Sequence, residues 1–389
     1  MSGLAHVTWL TEHVEGRGGA ESYVLDVARR LRERGVRSSV LFDARTRVGT
    51  ATREAFDGAF PVVELERQLA TLDPDVVYAQ RLPRGIALER ALGGRAPVAR
   101  FVHDHALFCL REHKYTALQK RTCDDPIGLR CYPCLGMVRQ EREPERLRLV
   151  GLGALRRELT QHRSCAAIVV GSRHMKRQAI AHGLDPARVA LLPLYAKEQE
   201  RTATLREPGL VVYAGALTTG KGLDVLLEAL RHTRHVKRLV LLGDGPQRES
   251  LQRAAQRHWR LSTVEFLGNL EHSRVLDWMR RATCLVLPTR QPESFGLVGV
   301  EAMSVATPVV ATAIGGALDW LHDGVTGLAV PSCDPRALAD ALDQLAASPE
   351  RASRLGEAGR ELQRQRFTPE RHIDGLISLL STVAGGGSP

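Results

Sequence analysis

The sequence predicts an α/β protein built from two parallel sheets in tandem. Three observations carry that prediction. Short apolar runs alternate with amphipathic segments along nearly the whole chain, the pattern of strands joined by crossover helices. At 389 residues the chain is too long for one ordinary core and suits two domains. The alternation also halts at residues 197–209, a polar stretch without periodicity that closes on Pro208-Gly209, and then begins again.

In the first half, residues 4–10 read as a buried strand, followed by a glycine-rich turn over residues 15–20. A helix comes next, with Val24, Val27, Ala28 and Leu31 at i, i+3, i+4 and i+7 and Gly35 as its stop. Strand, glycine turn and helix is the layout of a phosphate-cradling loop. The spacing is not a strict G-x-G-x-x-G, so a tight turn without a ligand fits equally. Further strands are expected at residues 37–42, 62–65, 76–79, 98–102, 168–170 and 189–192. The Asp73-Pro74-Asp75 run leads straight into a strand and reads as turn chemistry, not as a metal pair.

Phe101-Val102-His103-Asp104-His105 ends a strand, and open α/β sheets bind ligands beyond the carboxyl ends of their strands. His103 is therefore placed either to meet a substrate or to hydrogen-bond backbone. Cys109, Cys123, Cys131 and Cys134 follow within 26 residues, four of the chain's seven cysteines. In a reducing compartment such a set favours a structural zinc or iron–sulfur site over disulfides; plain reduced thiols are the alternative. Residues 139–157 mix arginines with leucines. They read as an amphipathic segment, either a solvated cover helix or one resting on a membrane surface.

The second half opens with a strand at residues 210–215 and a helix faced by Leu223, Leu226, Leu227 and Leu230. Between them a turn delivers Lys221 to a helix start, where a lysine can clamp phosphate as a point charge. Strands at residues 238–242, 264–267, 284–287, 308–311 and 327–330 continue the alternation. Helices cover residues 334–348 and 350–366, and a last one follows Thr368-Pro369. From Phe295 to Ala306 every residue is apolar or small except Glu301 and Ser304, so a helix starting near residues 294–296 belongs in an interior. A carboxylate there is costly unless a polar partner meets it. Glu293 sits ahead of the first turn, where unpaired N–H groups and the helix dipole favour an anion. Eight residues of helix would set the two carboxylates about 12 Å apart, with room for a phosphate between them.

The formal net charge is +10 and lies unevenly. Residues 1–200 carry 32 Lys and Arg against 24 Asp and Glu, whereas residues 201–389 carry 22 against 20. The basic half suits an anionic membrane surface or a phosphorylated acceptor, and fits equally an arginine-rich surface with no partner. Nucleic acid is not expected, because no binding module is recognisable and aromatics make up only 5% of the chain. The start Met1-Ser2-Gly3 has no basic residue leading into an apolar core, and no run reaches the length of a membrane span, so a cytoplasmic protein is expected.

Taken in order, Gly18-Gly19-Ala20-Glu21, His103-Asp104, Gly220-Lys221-Gly222, Gly243-Asp244-Gly245-Pro246 and Glu293-x7-Glu301 resemble the retaining, nucleotide-sugar-dependent glycosyltransferases of family 4. The resemblance implies the GT-B fold, two Rossmann-like domains facing a cleft with a C-terminal helix returning to the first. The expected division is an acceptor-side domain at residues 1–196 with a cysteine insert at 109–134, a linker at 197–209 and a donor-binding domain at 210–366. A crossover helix at 367–383 and a disordered tail at 384–389 complete it. The resemblance further implies that Glu301 binds the ribose of a nucleotide-diphosphate sugar. Backbone N–H groups of Phe295, Gly296 and Leu297 hold the diphosphate with Lys221. Gly18 and Gly19 close on the phosphates. Glu293 and His103 take the catalytic positions at the transferred sugar. The acceptor is expected to be a glycan or a lipid-linked saccharide, at the inner face of the cytoplasmic membrane, and the chemistry to need no cofactor.

The chain departs from the family pattern in places. Ala216 stands where the family usually has a phosphate-clamping arginine, and Leu194-Tyr195 where it has Asn-Gly. The cysteine segment resembles a subgroup with a cysteine-rich insert. The alternative is a catalytically silent binding or scaffolding protein that has kept the fold.

Overall fold

The structure, a computed structural model, describes every residue except 1–2, 15–18, 83–87, 117–120, 135–137, 143–144, 150, 202–204 and 258–262. For residues 20, 138–142 and 145–149 only the backbone is described. The chain divides into two compact units. One comprises residues 1–112, 125–193 and 370–389; the other comprises 113–124 and 194–369.

The first unit is built on β1 (His6–Thr11), β2 (Arg37–Phe42), β3 (Gly58–Pro61), β4 (Val76–Ala79), β5 (Val98–Val102), β8 (Ala167–Val170) and β9 (Val189–Leu191). They form one sheet in the order β3-β2-β1-β4-β5-β8-β9, with every pairing parallel. A central parallel strand is covered on both faces, which is why β1 and β4 are buried throughout. Helix α1 (Gly19–Glu33) buries Val24, Val27, Ala28 and Leu31. It stops at Gly35, which takes φ +80° while Val36 N–H closes back on the Leu31 carbonyl at 2.9 Å.

The first unit departs from the sequence expectation at two places. The third strand is Gly58–Pro61, not residues 62–65, because Leu65 opens the helix Leu65–Leu72 and Val63 is 77% exposed. The stretch from residue 139 to 157 is not one helix. It forms an antiparallel hairpin, β6 (Val138–Arg142) with β7 (Glu145–Leu149), and then α5 (Leu152–His162). Gly151 caps α5 in extended backbone and separates the two.

The last helix, α13 (Pro369–Ala384), packs in the first unit, with Ile373, Leu376, Leu380 and Val383 buried. Arg34 Nη1 reaches Asp374 Oδ1 at 2.6 Å, and the Tyr23 hydroxyl lies 3.0 Å from His372 Nε2. The glycines after α13 fold back, Gly387 N–H donating to the Thr382 carbonyl at 2.9 Å.

The second unit carries β10 (Leu210–Ala214), β11 (Arg238–Leu242), β12 (Val264–Gly268), β13 (Cys284–Leu287), β14 (Val309–Thr312) and β15 (Gly327–Val330), in the order β12-β11-β10-β13-β14-β15, all parallel. Both sheets change direction of growth at one place, between β1 and β4 and between β10 and β13. Loops leaving the carboxyl ends of two such neighbours diverge to opposite faces and open a crevice. The loops after β10 and β13 carry Lys221 and Glu293. Among the described residues no helix is long and apolar enough to cross a membrane.

Candidate active site

The second unit's site is assembled by glycines that let loops touch. After β10 the chain turns through Thr219–Lys221, and Gly222 takes φ +70° to start α7 (Leu223–Leu230). A Cβ on Gly222 would stand 2.0 Å from the Pro288 carbonyl oxygen, so only glycine brings this turn against the loop after β13. The Gly220 carbonyl accepts from Arg290 N–H at 2.9 Å, Gln291 N–H at 3.1 Å and the Thr289 hydroxyl at 3.0 Å. Arg290, 3% exposed, locks the same turn with Nη1 on the Thr219 carbonyl at 2.8 Å and a two-pronged pair on Asp224, both contacts 2.7 Å.

Across this seam Lys221 Nζ donates to Glu293 Oε1 at 2.6 Å. The two side chains remain 23% and 14% exposed, so the pair is sheltered but reachable. Behind Glu293 the backbone of Gly315 bridges it, and Gly316 N–H donates to its carbonyl at 2.7 Å. A Cβ on Gly316 would fall 2.5 Å from the Ser294 carbonyl oxygen.

Helix α10 (Leu297–Ser304) starts slightly later than the sequence implies, with Gly296 as its cap in left-handed backbone, φ +84°. Glu293 is therefore in loop, and helical rise does not set the spacing of the two acids. Gly299 N–H already closes on the Gly296 carbonyl at 2.9 Å, so the N–H groups ahead of it in the first turn are the ones a helix start leaves without an intrahelical partner. Trp320, fully buried, supports the start: its indole N–H donates to the Phe295 carbonyl at 2.8 Å, and a Cβ on Gly299 would lie 2.2 Å from its ring. Gly299, Val300, Ala302 and Met303 are buried, leaving Leu297, Val298, Glu301 and Val305 as the half-exposed stripe. Burial raises the Glu301 pKa above the ordinary carboxylate value, partly offset by His272, whose Nδ1 is 3.8 Å from Oε1.

In the first unit, His103 follows β5 and its Nε2 lies 2.6 Å from Gln80 Oε1, at the end of β4. Burial first, and then the Arg100 guanidinium, lower its pKa to about 3, so the ring is neutral at any working pH. Neutral, it donates through Nε2 to Gln80 and leaves Nδ1 as an acceptor. Gly19 opens α1, and a Cβ there would meet nothing within 4 Å, so packing does not demand a glycine. Gly18 lies outside the described residues.

The four clustered cysteines are free thiols, each half-buried. Among the described residues no three His, Cys, Asp or Glu side chains converge to hold a metal ion. The zinc or iron–sulfur site expected at Cys109, Cys123, Cys131 and Cys134 thus has no support. Cys131 ends the turn Leu129–Cys131 and packs with Leu110, Leu152 and Leu155, whereas Cys123 belongs to the segment that joins the second unit. Sequence spacing missed Arg290, Asp224, Trp320 and Gln80. The only signals for them were the Gly315-Gly316 pair and the polar residues at strand ends.

A family model described as Glycosyltransferase Family 4 matches residues 17–194, and one described as Glycosyl transferases group 1 matches residues 196–362. Through these two matches in succession the chain resembles the family 4 glycosyltransferases. Among relatives of this family, a D-inositol 3-phosphate glycosyltransferase of Xylanimonas cellulosilytica is 36% identical over 43% of this chain and 41% of its own length. The chain thus spans less than half of that relative. Another of the same description, from Catenulispora acidiphila, is 28% identical over 95% of this chain and 92% of its own. Anabaena HepE in complex with UDP superposes with a TM-score of 0.71 at 17% identity, covering 97% of this chain and 100% of that one. A sucrose-phosphate synthase from Thermosynechococcus elongatus gives 0.68 at 18% identity over 98% and 100%. The fold is GT-B, with two Rossmann-like units.

Proposed function

We propose that this family 4 glycosyltransferase moves a sugar from a nucleotide-diphosphate donor to a hydroxyl of a glycan or lipid-linked acceptor, with retention at the anomeric carbon. The observation that carries the reading is the Lys221–Glu293 pair beside the Gly296 start of α10, with Glu301 on the one stripe of that helix that is not sealed. The leaving diphosphate gathers negative charge as its bond to the sugar breaks. The first-turn N–H groups of α10 and the Lys221 ammonium supply fixed positive charge for it. Glu301, a sheltered but reachable acceptor, suits the paired hydroxyls of a ribose. Glu293, steered by Lys221, suits the sugar being moved, and His103 suits a neutral hydrogen-bond role toward that sugar. In the retaining course, the acceptor oxygen bonds to the anomeric carbon on the leaving-group side and its proton passes to the departing phosphate oxygen.

The UDP and UDP-glucose named with HepE put uridine donors first in a trial. The surplus of Lys and Arg in residues 1–200 supports an acceptor held at an anionic membrane surface on the cytoplasmic side; salt-sensitive binding to anionic vesicles tests this. The competing reading, a silent binding protein, rests on Ala216, where no cation stands, and on Arg290 being committed to Asp224. Donor hydrolysis across UDP-, GDP- and ADP-sugars separates the two. Turnover with one of them, lost in Glu293→Gln, supports the transferase. Nucleotide binding without turnover, with lipid extract present, supports the silent protein.

A further inference from the structure

The first half of the chain does not stay in the first unit. After Glu112 it leaves, packs residues 113–124 into the second unit, and returns at Asp125. Within this excursion Tyr115 and Thr122 form an antiparallel bridge, tightened by Thr116 N–H to the Arg121 carbonyl and Cys123 N–H to the Lys114 carbonyl, both 2.7 Å. Lys114 is 1% exposed and Tyr115 8%, so the segment is seated and not draped over a surface. Glu112 and Lys114 take φ +67° and +50°, conformations that cost energy outside glycine and persist only where surrounding contacts enforce them.

Its contacts fall on two loops. The Thr122 hydroxyl donates to the Arg290 carbonyl at 3.2 Å. The Tyr115 ring closes over Gly220: a Cβ built there would lie 3.1 Å from Tyr115 Cε1 and 2.1 Å from Gln291 Oε1. Gly220 immediately precedes Lys221, and Arg290 lies three residues before Glu293. The loops that present the two charged partners are thus gripped from one side by Arg290 and Asp224 and from another by the bridged Tyr115–Thr122 pair.

We infer that residues 113–116 and 121–124 are a positioning element of the donor site, with Tyr115 and Thr122 setting the turn that carries Lys221 and the loop that carries Glu293. The inference rests on the donor site proposed above. In consequence, a segment encoded between the strands of the first sheet tunes nucleotide affinity in the second unit without touching the nucleotide itself.

The test is calorimetric titration of UDP, GDP and ADP into the full chain and its variants at a temperature well below unfolding. Tyr115→Ala and the milder Thr122→Val should weaken the diphosphate that binds the parent by about tenfold, the scale of one misplaced charge-assisted contact. Thr122→Ser, which keeps the hydroxyl, should stay near the parent. Val330→Ala, a core truncation in the same unit, should lower the melting temperature and leave affinity unchanged. Parent-like affinity in both Tyr115→Ala and Thr122→Val overturns the inference. Lys221→Ala distinguishes the two levels. If it too binds like the parent, or if the parent binds no diphosphate, the donor-site reading fails and carries this inference with it. If it loses binding while the Tyr115 and Thr122 variants do not, only the inference falls.

Discussion

Lys221 and Glu293 stand 72 residues apart in the chain and 2.6 Å apart in the fold, Nζ to Oε1. Each is delivered by a loop leaving one of two neighbouring strands at the point where the sheet reverses its growth. Replacing Lys221 by Ala removes the proposed phosphate clamp and leaves a sheltered carboxylate without this partner. Diphosphate affinity should fall about ten- to a hundredfold, the range for hydrogen bonds to charged groups. Lys221→Arg should recover only part of it, because a planar fork cannot occupy the place of a compact ammonium. Titration calorimetry reads both.

Histidines with lowered pKa should make the fold less stable in acid. Burial lowers His103 to about 3 and His162 and His372 to about 4, from 6.5. In the folded state they stay neutral while the unfolded chain takes up protons below pH 6.5. Their contribution is therefore complete above 6.5 and lost as pH falls toward 4. Each histidine adds at most about 1.4 kcal/mol per pH unit to that slope. Chemical denaturation of His372→Gln between pH 7 and 4.5 should show a shallower loss than the parent, and the pH profile of activity should show no limb belonging to His103.

Gly299 and Trp320 form a fitted contact beneath the start of α10. Gly299→Ala inserts a methyl where the indole ring lies and should cost about 1–3 kcal/mol of stability. Because Trp320 also holds the Phe295 carbonyl, diphosphate affinity should drop with it. A melting curve and a binding isotherm on the same preparation check both effects.

The parallel strands were legible because central strands of such sheets are apolar on both faces; residues 210–214 are one such run. Edges were not. Gly58–Pro61 is Gly-Ala-Phe-Pro, without a β-branched residue, and lies at the margin of its sheet, while Val62 to Leu65 looks like a strand but leads into a helix. The Arg–Leu mixture after residue 138 satisfies either period, and pairing with Glu145–Leu149 decides for a hairpin. The two glutamates, Lys221 and His103 could be singled out by chain position. Their supports could not, since Arg290 with Asp224 and Thr122 with Arg290 are contacts 66 and 168 residues apart that leave no periodic trace.

Glu301 is held at a cost to the protein. Burial raises its pKa, so the folded state keeps a proton longer than the unfolded chain and stability declines as pH rises through the ordinary carboxylate range toward the raised value. At neutral pH Glu301→Gln should therefore unfold at a higher temperature than the parent in the absence of ligand, yet gain less from nucleotide. Thermal shifts with and without UDP read the crossing.

The proposed donor site requires Glu301 at the ribose end of the donor and Glu293 at the sugar end. The direct measurement is the affinity of a nucleoside diphosphate against its 2′,3′-dideoxy analogue, in the parent and in Glu301→Ala. The parent should prefer the hydroxylated ligand by about tenfold or more, as a charge-assisted contact requires, and Glu301→Ala should bind the two alike. An equal preference in both proteins would contradict the assignment of Glu301 to the ribose and, with it, the placement of the donor along α10.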